Sequence, residues 1–143
     1  KDYWAVLLDP DGFIAEGTGD NIFIVKDGVV ITPEGRNILR GISRAYVFDV
    51  CKRLGIECIE KNIDPYDLLT ADECFVTATP FCVLPVMRYN GQDIGDGKYG
   101  ATTKTILNKW SEDVGVDIEG QIKFYNSIID GAEDKSPYQL RFS

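Results

Sequence analysis

Histidine is absent from all 143 residues. Ser-His-Asp and Cys-His catalysis therefore cannot operate with this chain's own groups. Acid–base chemistry falls to a carboxylate, a lysine, a tyrosine or a bound cofactor. Cysteine is sparse: Cys51, Cys58, Cys74 and Cys82 are the only four. None forms a CxxC pair, so with no histidine a zinc set does not assemble, and no metal is expected. Each cysteine stands among apolar residues, which reads as buried, reduced thiols in a cytoplasmic protein. Basic residues are outnumbered, 15 against 23 acidic ones, for a net charge of −8. That argues against nucleic acid and anionic membrane surfaces as main partners, because both need basic patches. No apolar run approaches a membrane span, and no signal peptide is visible. The single methionine is Met87, so the chain reads as one cut at its N-terminus.

What is present fits one domain. Hydrophobic residues make up 44% and charged residues 27%, ordinary for a soluble globular protein. A chain of this length buries about two thirds of its unfolded surface. Residues 4–9 read as a buried-type strand, and Pro10-Asp11-Gly12 as the turn into a partner strand at 13–16. Residues 21–26 and 29–32 form a second hairpin around Asp27-Gly28. A helix is expected from about Ser43 to Leu54, stopped by Gly55. Residues 56–63 alternate as a strand. Asp64 caps a short helix through Leu69 that opens on Pro65. Residues 73–78 form a strand that runs into Thr79-Pro80, where Thr79 reads as the cap of another helix. Residues 83–89 and 92–94 pair across Asn90-Gly91. Helices are expected over 101–114, with Ile106, Leu107 and Trp110 inward, and over 117–129. The division expected is a domain over 1–129 and a polar tail over 130–143. Hairpins mixed with short helices predict an α/β fold: a mixed sheet or partial barrel with flanking helices.

Three segments carry chemistry. Glu16 is followed by Gly17-Thr18-Gly19-Asp20-Asn21, a carboxylate closing a strand in front of a glycine loop. Gly41-Ile42-Ser43 opens the first long helix, where free N–H groups and the helix dipole make an anion site. Arg44 lies in that same first turn, where the dipole disfavours a cation. Its compensating anion is either a bound phosphate or Glu16. The third segment is Thr77-Ala78-Thr79-Pro80. Asn21 is expected to pin the 17–20 loop, Thr32 to end its strand, and Lys98 and Lys104 to face solvent. A nucleotide-binding role for Gly17-Thr18-Gly19 lacks the βαβ setting that fingerprint requires.

Taken together, residues 16–23, 30–32 and 39–44 resemble the signature of the class IV pyridoxal-phosphate enzymes, the family of branched-chain and D-amino acid aminotransferases and of aminodeoxychorismate lyase. The resemblance covers roughly residues 3–115. It implies the C-terminal, larger domain of the D-amino acid aminotransferase-like fold, with pyridoxal 5'-phosphate as cofactor. It gives Glu16 the cofactor's ring nitrogen, where a carboxylate favours the protonated ring. It gives Gly41, Ile42, Ser43 and Thr79 the phosphate, and Thr79 and Pro80 the substrate. Pro80 has no N–H to donate, and Phe81 is bulkier than the family's usual small residue, so substrate is held differently from the typical branched-chain pattern. The cofactor-linking lysine would lie upstream of this chain, which is then expected to be inactive alone. The complete enzyme is expected to be a homodimer that moves an amino group between an amino acid and a 2-oxo acid. The alternatives are a lyase of the aminodeoxychorismate type and an inactive association module.

Overall fold

The computed structural model describes residues 3–130. Three strands in this span make its centre. Strand β3 (Asn21–Lys26) turns through Asp27 and Gly28, whose positive φ of 50° and 79° matches the twist of a two-residue hairpin. It returns as β4 (Val29–Thr32), with Val25 opposite Val30. On its other edge β3 pairs antiparallel with β6 (Glu73–Thr77), in a register that sets Phe23 opposite Phe75 and Asn21 opposite Thr77. The outer strands are β5 (Cys58–Glu60), parallel to β4, and β7 (Leu84–Pro85), antiparallel to β6. The sheet therefore runs β5-β4-β3-β6-β7. It is the mixed sheet expected from the sequence. Every residue of β3 except Lys26 is buried, so both faces of this central strand are covered.

The parallel β4–β5 pair needs a crossover, and α1 (Ile42–Leu54) supplies it. Its Phe48 meets Phe23 edge-on, with centroids 6.4 Å apart, while Phe23 stacks on Phe75 at 4.9 Å. Val47, Val50 and Cys51 complete its buried face. The helix ends where Gly55 takes the left-handed conformation at φ 70° and donates to the last carbonyls. Helix α2 (Pro65–Leu69) has the full reciprocal cap between Asp64 and Asp67. Helix α3 (Ala101–Val114) buries Ile106, Leu107 and Trp110 as the sequence predicts. Helix α4 (Ile118–Asp130) adds Ile122 to the core. Of the tail expected over 130–143, Asp130 is the last residue of α4 and residues 131–143 lie outside the described residues.

Several expectations are corrected. Strand β1 (Val6–Leu8) is not a buried strand: Trp4, Leu7 and Leu8 are 47%, 44% and 51% exposed. It pairs only with β2 (Ile14–Gly17) in a two-stranded sheet of its own, so no second layer covers it. No helix begins at Thr79-Pro80; this is a turn, closed by the Cys82 N–H donating to the Ala78 carbonyl at 2.8 Å. The strand expected over 83–89 is two pieces. Leu84 and Pro85 pair with β6, and β8 (Arg88–Tyr89) pairs with β9 (Gln92–Asp93) in a separate hairpin. The strand expected over 56–63 shrinks to β5, whose three residues pair with β4, with the Glu57 carbonyl and the Lys61 N–H making the flanking bonds to Val30 and Thr32.

Candidate functional site

Glu16, Gly41, Ile42, Ser43 and Thr79 are far apart in sequence and line one cleft. Its walls are residues 16–21, 39, 41–43 and 77–79, and it encloses about 220 Å³. That is below the roughly 300–1,000 Å³ of a complete small-molecule pocket. The fold explains the convergence. The end of β2 carries Glu16, the start of β3 carries Asn21, and the paired end of β6 delivers Thr77 and the turn behind it. Helix α1 begins on the same side. Pro80 is not among the lining residues, and Phe81 turns away into the core at 3% exposure, so its bulk does not narrow the cleft.

One end of the cleft is acidic. Glu16 accepts two hydrogen bonds on Oε2, from Asn21 Nδ2 at 3.2 Å and from the Leu39 N–H at 3.0 Å. Among the described residues Oε1 has no hydrogen-bond partner. Asp20 stands beside it. Burial pushes the Asp20 carboxyl above its ordinary value, and the nearby Glu16 charge pushes the same way. The Trp4 indole N–H donates to Asp20 Oδ2, while Oδ1 is buried and unpaired.

The cleft also holds a bare helix terminus. The cap residue of α1 is Gly41, not Ser43; no side chain caps it, and no acidic residue occupies its first turn. The N–H groups and dipole at that terminus are therefore available to an anion. Arg44 does not pair with Glu16. Its guanidinium is 7% exposed, donates to Glu60 at 2.7 Å and to the Pro33 carbonyl at 2.9 Å, and lies 5.3 Å from the Phe48 ring centre. This cation joins α1 to β5 and leaves the helix terminus uncompensated.

Asn21 and Thr77, to which the sequence reading assigned no cofactor contact, also belong here. Asn21 does not pin the 17–20 loop. Its Nδ2 bridges Glu16 and the Leu39 carbonyl, the latter at 2.8 Å. The Thr77 hydroxyl, in a residue 1% exposed on the cleft wall, is buried with no partner. It belongs to the Thr77-Ala78-Thr79-Pro80 segment, but its place opposite Asn21 across the β3–β6 ladder is not visible along the sequence. Among the described residues no lysine lines the cleft. Lys98 pairs with Asp96 in solvent at 3.6 Å, and Lys104 is exposed, as expected. Among the described residues no cluster of carboxylates and cysteines could hold a metal ion, and no helix is long and apolar enough to cross a membrane.

A carboxylate and an uncapped helix terminus lining one cleft suit a small ligand that carries both a cationic and an anionic group. Pyridoxal 5'-phosphate has that charge pattern, and the residues fit it. The helix terminus suits its phosphate, Glu16 Oε1 suits its ring nitrogen, and the orphaned Thr77 hydroxyl offers a further polar contact.

The chain belongs to the amino-transferase class IV family, whose model matches residues 1–89. It is 41% identical over 102 residues to the branched-chain-amino-acid aminotransferase of Pseudomonas aeruginosa, covering 71% of this chain and 33% of that protein. The crystal structure of the Escherichia coli branched-chain amino acid aminotransferase superposes with a TM-score of 0.72 at 39% identity, over 73% of this chain and 36% of that one. The branched-chain amino acid aminotransferase from Thermoproteus uzoniensis, solved with norvaline, also gives 0.72, at 34% identity, over 80% of this chain and 38% of that one. The chain thus spans about a third of the length of these relatives.

Proposed function

We propose that this chain is the cofactor-gripping part of a pyridoxal-phosphate aminotransferase that transfers an amino group between a branched-chain amino acid and a 2-oxo acid. The observation that carries the reading is that Glu16 and the uncapped start of α1 line one cleft. When bound, the cofactor supplies an electron sink for charge developing at the substrate's α-carbon. Glu16 Oε1 holds the proton on the cofactor's ring nitrogen, because a neighbouring carboxylate favours the charged ring. The N–H groups at Ile42 and Ser43 hold the phosphate, with Gly41 allowing close approach and the Thr79 hydroxyl as a further donor. The amino-acid substrate lies toward Thr79, which lines the cleft where Pro80 does not. The complete enzyme supplies the lysine and works as a homodimer in the cytoplasm.

The names of the relatives support branched-chain over D-amino acid substrates, and transfer over a lyase reaction of the aminodeoxychorismate type. Assays of the complete enzyme with L- and D-amino acids, each with and without a 2-oxo acid, separate these. A transaminase needs the second substrate and a lyase does not. In the same enzyme Glu16→Gln is expected to retain the cofactor, read from its visible absorbance, and to lose about 10²-fold or more in kcat. That is the size of loss when one preorganised electrostatic partner is removed. Unchanged turnover would take Glu16 out of this role.

A further inference from the structure

Asn21 is 5% exposed and makes contact at both ends of the cleft. On the acidic side its Nδ2 donates to Glu16 Oε2 at 3.2 Å, the oxygen that also accepts from the Leu39 N–H at 3.0 Å. The same Nδ2 donates to the Leu39 carbonyl at 2.8 Å. Asn21, Glu16 and Leu39 thus close a ring of three hydrogen bonds. The Leu39 carbonyl accepts from the Gly41 N–H as well, at 3.0 Å, which carries the ring into the turn before α1. On the helix side, Asn21 Oδ1 occupies the space a Cβ on Gly41 would need, so the amide packs directly on that glycine.

We propose that Asn21 is a positioning residue: it holds the Glu16 carboxylate at a fixed orientation and distance from the start of α1, so that the ring nitrogen and the phosphate of one ligand are met together. The proposal rests on the cofactor reading above. A glutamate side chain has several rotamers of similar energy, and a free one would point Oε1 at the ligand only part of the time. Two donors on Oε2 select one rotamer and leave Oε1 for the ligand. The chemistry at position 21 is narrow. An aspartate has the same shape but, when ionised, no donor, and it would set a second negative charge against Glu16. An alanine removes the link altogether.

The test uses the complete enzyme stripped of cofactor and titrated with pyridoxamine 5'-phosphate, with inorganic phosphate as a second probe. Asn21→Ala is expected to weaken pyridoxamine 5'-phosphate binding by about 10-fold or more, the cost of one hydrogen bond to a charged group. Phosphate affinity stays within about 3-fold, because phosphate alone does not need Glu16. In a Glu16→Ala background, Asn21→Ala is expected to add nothing, which a purely structural role would not produce. Equal losses in both backgrounds would overturn the proposal and leave the cofactor reading standing. Failure of the unmodified enzyme to bind pyridoxamine 5'-phosphate would overturn both. Asn21→Asp keeps the shape and guards against misfolding. Its affinity is expected to stay below that of the unmodified enzyme from about pH 5 to about pH 8, because an ionised aspartate has no donor and sets a second charge against Glu16. Affinity equal to the unmodified enzyme throughout that range would also overturn the proposal.

Discussion

Thr77 shows what a single side chain contributes at this site. Its hydroxyl is buried on the cleft wall with no partner, a state that costs on the order of 1–3 kcal/mol. Thr77→Val removes the polar atom at nearly constant shape. Without ligand, the variant is expected to be more stable by about 1 kcal/mol, read from its urea midpoint. Calorimetry should show weaker binding of pyridoxamine 5'-phosphate to the variant. A variant that is less stable and binds equally well would mean the hydroxyl serves the protein and not a ligand. At this scale the sequence was partly legible. Glu16 and Ser43 stand at characteristic places, one closing a strand before a glycine loop and one opening a helix. The bonds of Asn21 to Leu39 and of Arg44 to Glu60 join residues 18 and 16 positions apart, and no local pattern announces them.

The elements show how helix termini are completed, and α3 is the instructive case. Its cap residue, Gly100, has no side chain to offer. The Glu73 carboxylate, reaching from β6, instead accepts from the Thr102 and Thr103 N–H groups, both at 2.8 Å, and from the Thr103 hydroxyl at 2.7 Å. A Cβ on Gly100 would collide with that carboxylate. Glu73→Ala is therefore expected to cost about 1–3 kcal/mol in chemical denaturation, the range for losing a cap together with charged hydrogen bonds. A loss below about 0.5 kcal/mol would mean solvent replaces the cap. The sequence shows Glu73 only as the start of a strand. By contrast, the Asp64-Pro65 start of α2 was legible to the residue, because its cap partners are three positions apart. Thr79-Pro80 carried the same kind of signal and formed no helix. The chain there is committed to a tight turn that feeds β7 back onto β6.

Across the molecule, order should follow the sheets. Strands β3 and β6 lie inside the five-stranded sheet under the stacked Phe23 and Phe75, whereas β1–β2 and β8–β9 are two-stranded and stand outside it. In hydrogen exchange, amides of β3 and β6 are expected to open only with global unfolding. Those of β1 and of the β8–β9 hairpin should exchange through local openings, at least about 10²-fold faster. Equal protection would mean the hairpins unfold with the sheet as one unit. The sequence by itself determined the local features: the hairpin at Asp27-Gly28, the stop at Gly55, the inward face of α3, and the residue types of an anion-binding helix start. Each depends on neighbours within about four positions, where backbone geometry sets the rule. Only the tertiary structure decided that β1 lies exposed, that Arg44 pairs with Glu60, and that Asn21 ties Glu16 to the turn before α1. Those outcomes depend on strand register and on which surfaces meet, and both are settled by packing the whole chain.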